Sequence, residues 1–203
     1  MTTKAKGSSV RQKITDLSNK INIPFQNIQT AFMIERLVAR LVTDKNLAKH
    51  LVFKGGFVGL RVYNSERYTV DLDALLVNAD IESSLALTRK NAESDLDDGV
   101  WFKFVGQMDL VTQGEYGGIR QVYRAGIGET LTNIKKAQIV HFDLGIGDPI
   151  TLLVDLRLVL LEAKPLELDP GELLRPRCRL TIVVDAEVEM LPCPEARVSH
   201  IAQ

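Results

Sequence analysis

Val70-Asp71-Leu72-Asp73-Ala74 is the stretch on which the reading of this 203-residue chain turns. It lies within Tyr68–Val77, a strand-like run that is otherwise largely apolar, and it carries acids at positions i and i+2. In a β-strand such residues share one face and sit about 6–7 Å apart along it. Burying two unpaired carboxylates in an apolar run is costly, so the pair calls for something positive between them. Magnesium is the natural candidate, because hard cations take oxygen ligands. In phosphoryl transfer such ions clamp the triphosphate and stabilise the attacking and leaving oxygens. Taken alone, Asp-x-Asp occurs often by chance and fits a solvent-facing edge strand with two harmless aspartates better than a metal site.

Just upstream, Leu51-Val52-Phe53 reads as a short strand ending at Lys54-Gly55-Gly56, with a short helix expected over Phe57–Tyr63. Two glycines permit unusual dihedrals and close backbone approach to a phosphate. Backbone N–H groups at a turn entering a helix form an anion site. Lys54, Gly55 and Gly56 are therefore the candidate nucleotide-binding residues, with Arg67 a weaker phosphate contact that reads equally as a surface arginine. The spacing is not that of a P-loop. An isolated Gly-Gly would be an ordinary strand-to-helix turn.

A third element lies downstream, at His141-Phe142-Asp143-Leu144-Gly145-Ile146-Gly147-Asp148-Pro149. Asp143 ends a β-rich run, where a third carboxylate from a neighbouring strand would complete a metal site and accept the proton of an attacking hydroxyl. Asp155 and Asp185 have the same apolar-Asp-apolar setting and stand as rivals for that place. The Asp148-Pro149 pair marks a turn.

Around these elements the pattern is helical from Ile14 to His50. Ile28, Ala31, Phe32, Leu37, Val38 and Leu41 form one stripe, with Glu35, Arg36 and Arg40 mostly off it. Pro24 belongs in a turn or near the start of the helix. Residues 1–13 read as a flexible tail. Residues 79–97 are helical or loop, and Asp97-Asp98-Gly99 is a turn. Strand candidates follow at Val100–Val105, Met108–Thr112, Ile119–Ala125 and Ala137–Leu144, with β-rich runs at Ile150–Leu161 and Leu180–Met190. The expected fold class is α+β, a mixed β-sheet with flanking helices.

Composition narrows the function classes. Hydrophobic residues at 45% supply a core, and a net charge of -1 excludes an overall basic coat for gripping nucleic acid, leaving a local basic face open. Cys178 and Cys193 form no CxxC pair and have no histidine at zinc-ligand spacing, so they read as two free thiols, with a disulfide between them the alternative. The polar, basic N-terminus is not a secretory signal. Ile150–Leu161 is the longest apolar stretch, is interrupted by Asp155 and Arg157, and falls short of the roughly 20 residues of a membrane span. The expected location is the cytoplasm, with no membrane partner.

Taken in order, these residues resemble the polymerase-β-like nucleotidyltransferases, and among them the AbiEii/AbiGii-type toxins. The matching stretches are Phe32-Met33-Ile34-Glu35-Arg36, Phe53-Lys54-Gly55-Gly56 and Arg67-Tyr68-Thr69-Val70-Asp71-Leu72-Asp73. Asp98-Gly99-Val100-Trp101-Phe102, Tyr116-Gly117-Gly118-Ile119-Arg120 and Phe142-Asp143-Leu144-Gly145-Ile146-Gly147-Asp148 complete the set, from about residue 30 to 150. Each is weak alone; the ordered set is specific. The resemblance implies a magnesium-dependent nucleotidyltransferase toxin of a bacterial toxin–antitoxin or phage-defence pair. It would move a nucleotide from a nucleoside triphosphate to an RNA acceptor, transfer RNA among them, or to protein, and be opposed by a cognate antitoxin. Asp71, Asp73 and Asp143 would be its catalytic metal ligands.

Two departures accompany the resemblance. Phe57 stands where the family often carries a hydroxyl residue after the glycines, and Thr69 is not an obvious substitute for it. The family also continues into a helical C-terminal half that begins near a Pro-Glu like Pro194-Glu195, and the lysine it carries has no counterpart before Gln203. The expected division is a tail over 1–13, a helical segment over 14–50 and a nucleotidyltransferase core over 51–203, that helical half missing. The alternative is an inactive or truncated member acting as a nucleotide- or partner-binding module.

Overall fold

The computed structural model describes residues 3–62, 69–110 and 117–147, with backbone alone at 61 and 62 and in three short strands further on. Its element order is α1 Thr3–Ile21, α2 Phe25–Leu41, α3 Lys45–Ala48, β1 Leu51–Lys54, α4 Gly55–Val62, β2 Asp71–Leu76 and α5 Ile81–Ala92. Then come β3 Val100–Leu110, β4 Gly117–Ile127, a 3₁₀ turn at Ile134–Lys136 and β5 Gln138–Ile146. Strands β6 Val159–Leu160, β7 Leu180–Val184 and β8 Glu187–Glu189 form a separate three-stranded sheet in that order.

The main sheet has five strands in the order β1-β2-β5-β4-β3. Strand β2 runs antiparallel to β1 and parallel to β5; β5–β4 and β4–β3 are antiparallel. This is the expected α+β class, a mixed sheet with flanking helices. The parallel β2–β5 pair sits at the centre and brings the Asp-x-Asp strand beside the strand of Asp143. Alternation sets the faces: Leu72 and Ala74 on β2, and Phe142 and Leu144 on β5, are buried with Tyr123 of β4. Phe32, Ile34, Leu37, Val38 and Leu41 of α2 join the same core. The intervening acids point to the other face of the sheet.

The helical pattern from Ile14 to His50 resolves into three helices. The first break holds Asn22 at φ 54 and Pro24, whose carbonyl receives the N–H of Asn27 at 2.9 Å. Asp44 makes the second restart, capping α3 by accepting from Asn46 and Leu47. The expected flexible tail over 1–13 is overturned, because α1 begins at Thr3. Its Val10, Ile14 and Leu17 recur at helical spacing and are buried, and Arg11 donates to the Ile127 carbonyl at 2.9 Å. Polar composition concealed a three-residue apolar stripe.

Two further expectations change. The candidates Val100–Val105 and Met108–Thr112 are one strand, β3, with a bulge between Phe104 and Gly106 and its last residue at Leu110; Val111 and Thr112 lie outside the described residues. Arg36 and Arg40, read as mostly off the apolar stripe, are both buried. Arg40 is fully buried and grips both carboxylate oxygens of Asp98 at 2.8 and 2.9 Å, while its remaining donors reach the carbonyls of Ser94, Arg36 and Val100. It also lies 5.1 Å from the Phe102 ring centre. Burial alone would raise the Asp98 pKa, but the hydrogen bonds and charge of Arg40 outweigh it and hold the carboxyl below its ordinary range. The turn at Asp97-Asp98-Gly99 thus ties the sheet to α2.

Candidate active site

Strand β1 delivers Lys54 to its end, and the antiparallel register sets Lys54 opposite Asp73. Gly55 then turns the chain into α4 with φ +70, a left-handed conformation that costs most side chains strain. A Cβ at Gly55 would also collide with the Asp73 carboxylate. The first N–H groups of α4 therefore start beside an acid, where an approaching anion would need a cation between them. Thr69 packs on the second glycine: its Oγ1 lies 2.8 Å from where a Cβ on Gly56 would stand, and it donates to the Asp71 carbonyl at 2.8 Å. A hydroxyl thus lies against the glycine turn even though Phe57, at the family's hydroxyl position, is buried in the core. The sequence offered no sign of this, because Phe57 and Thr69 are 12 positions apart in the chain.

Strands β2 and β5 place the three acids together. The parallel register pairs Asp71 with His141 and Asp73 with Asp143. Asp73 has its pKa raised, first by burial and then by the charge of Asp143, with Asp71 adding to it; Lys54 and Arg120 act in the opposite direction. Burial and the neighbouring acids together outweigh the two cations.

Two residues to which the sequence reading gave no role complete the cluster. Arg120 on β4 stands opposite Asp143. Its Nε donates to Asp143 Oδ1 at 2.7 Å and its Nη2 to Asp143 Oδ2 at 2.6 Å, and the same Nη2 reaches Asp71 Oδ2 at 3.5 Å. The fork on Asp143 keeps the guanidinium more firmly charged than usual. His141 Nδ1 is 2.9 Å from Asp71 Oδ1. The available signal was positional and partial: His141 stands two residues before Asp143 and so shares its strand face, while nothing local marks Arg120.

Of the candidate residues, Asp71, Asp73, Asp143, Lys54, Gly55 and Gly56 converge on one end of the β1–β2–β5 sheet. Arg67, Asp155 and Asp185, like Cys178, Cys193 and the Pro194-Glu195 pair, lie outside the described residues. Among the described residues no three His, Cys, Asp or Glu side chains are grouped closely enough to hold a metal ion as they stand. The donor set nonetheless suits one: three carboxylates on adjacent strands, with a guanidinium standing in as the cation between two of them. No described helix is long and apolar enough to cross a membrane.

Comparison with known proteins adds one match. A family model described as nucleotidyl transferase AbiEii toxin, type IV TA system, matches residues 36–170, which is more than half of the chain. No curated protein matches it. The matched span begins in α2 and takes in the glycine turn, the Asp-x-Asp strand, Arg120 and Asp143, and on that span the chain belongs to the AbiEii family of nucleotidyltransferase toxins of toxin–antitoxin systems.

Proposed function

We propose that the chain transfers a nucleotide from a nucleoside triphosphate to an RNA acceptor, with Asp71, Asp73 and Asp143 as the metal-binding and catalytic acids. The observation that carries this is the parallel β2–β5 register, which sets Asp73 against Asp143 one strand from the glycine turn. Asp71 and Asp73, with Asp143, would hold magnesium, which when bound supplies charge to polarise the reacting phosphoryl group. Gly55 and Gly56 supply backbone N–H groups at the start of α4 for the phosphates, and Lys54 adds positive charge at the same point. Thr69 lines that turn with a hydroxyl. His141 orients Asp71 through its Oδ1. Asp143 would accept the proton of the attacking hydroxyl.

Family membership supports a nucleotide substrate and a cognate antitoxin as partner. The site works in the cytoplasm, where triphosphates and RNA both occur. The test is to incubate the protein with each radiolabelled triphosphate, magnesium, and either transfer RNA, bulk RNA or cell protein. Label on an RNA fraction supports the reading. Label on protein alone replaces the acceptor, and nucleotide binding without any transfer favours a nucleotide-binding module.

A further inference from the structure

We propose that Arg120 is the resident counter-ion of the acid cluster, and that a divalent cation must displace its guanidinium before it can bind. The proposal rests on the metal-site reading above and deepens it. Its ground is geometric. Arg120 occupies both oxygens of Asp143 at 2.7 and 2.6 Å, and the nitrogen on Oδ2 also faces Asp71 Oδ2 at 3.5 Å. That nitrogen lies between the two carboxylates that a bridging ion would join. Magnesium binds carboxylate oxygen at roughly 2.0–2.1 Å and demands near-octahedral surroundings. It cannot take this place while a guanidinium nitrogen fills it.

The remaining oxygens would serve as further ligands of the same ion. Asp71 Oδ1 is engaged by His141, and Asp73 stands across from Lys54 and against Gly55. Displacement is nonetheless attainable. The Arg120 side chain is about a quarter exposed, so its ion pairs are screened and cost less to break than a buried fork would. Three carboxylates faced by Arg120 and Lys54 also retain surplus negative charge, which a divalent ion satisfies better than one guanidinium. The protein thereby keeps its acids ordered and paired between turnovers, and its apparent metal affinity is lowered by the fraction of molecules in which the fork is closed.

The experiment is calorimetric titration of manganese, without nucleotide, into the full chain and its variants. If Arg120 is out of the way in about one molecule in ten or fewer, Arg120→Gln binds manganese about tenfold or more tightly than wild type. Arg120→Lys, which keeps the charge but not the fork, falls between them. Asp73→Asn weakens binding in both the wild-type and Arg120→Gln backgrounds. Unchanged or weaker binding in Arg120→Gln, with circular dichroism preserved, overturns the proposal. Should Arg120→Gln fail to fold, Arg120→Lys decides it in the same way. Manganese binding that depends on Asp73 but is not tightened at position 120 sinks only the competition. Binding that is absent throughout, or indifferent to Asp73, sinks the metal-site reading and the competition with it.

Discussion

Asp73 on β2 stands directly across from Asp143 on β5, two carboxylates brought side by side by the parallel register of the central strands. Sequence spacing explains only the pairing of Asp73 with Asp71. The closeness of Asp143, 70 residues further along, is a product of topology.

Because burial and Asp143 both raise the Asp73 pKa, its ionised form opposes folding at neutral pH. Asp73→Asn is therefore expected to raise Tm at pH 7 in the presence of a chelator. The gain is small, roughly 1–2 °C, since solvent screens a half-exposed site and about 1 kcal/mol shifts a chain of this size by only 2–4 °C. Scanning calorimetry checks it. A fall in Tm would mean that Asp73 is already adequately paired by Lys54 and Arg120.

At the Arg40–Asp98 pair the balance is opposite. Asp98→Ala leaves a fully buried guanidinium without its carboxylate and is expected to cost about 3–5 kcal/mol in chemical denaturation. The folded-state pKa of Asp98 is depressed, so the pair's contribution is fully present above the unfolded value near 3.8 and is lost as pH falls through the lower, folded value. The stability gap between wild type and Asp98→Ala should therefore stay constant from pH 8 to about 5 and close only below about 4. A gap that closes near neutrality would place the effect elsewhere.

Gly55→Ala tests the glycine turn. The left-handed backbone costs an alanine about 1–2 kcal/mol, and its Cβ collides with the Asp73 carboxylate. The expected outcome is that stability falls by about that amount and that triphosphate binding, measured by equilibrium dialysis, is lost. Retained binding would separate the turn from the phosphates.

How much of this was legible in the sequence depends on the range of the interaction. The glycine turn, the Asp-x-Asp strand and the α+β class follow from local signals: paired glycines after an apolar triplet, and period-two alternation. The part of α1 before Ile14 was missed because Val10 is isolated among polar residues there, and a composition argument averages it away. Arg36 and Arg40 were read only as mostly off the apolar stripe, because periodicity cannot see that a turn some 60 residues later returns an aspartate to pair with them. Arg120 and His141 were quoted or counted without a role for the same reason: their partners are 23 and 70 residues away and meet them only through strand register. Thr69 reaches the glycine turn through the β1–α4–β2 connection, which no spacing rule encodes.

The central claim is that the acids of β2 carry nucleotidyl transfer, and substitution of one acid tests it most directly. The measurement is the initial rate of label transfer from a radiolabelled triphosphate to RNA, with magnesium, by wild type and Asp71→Asn. Losing a metal ligand removes several kcal/mol of transition-state stabilisation, and about 1.4 kcal/mol corresponds to each tenfold in rate. The account predicts a fall of about a thousandfold with circular dichroism unchanged. Transfer by Asp71→Asn at a rate close to wild type would contradict it.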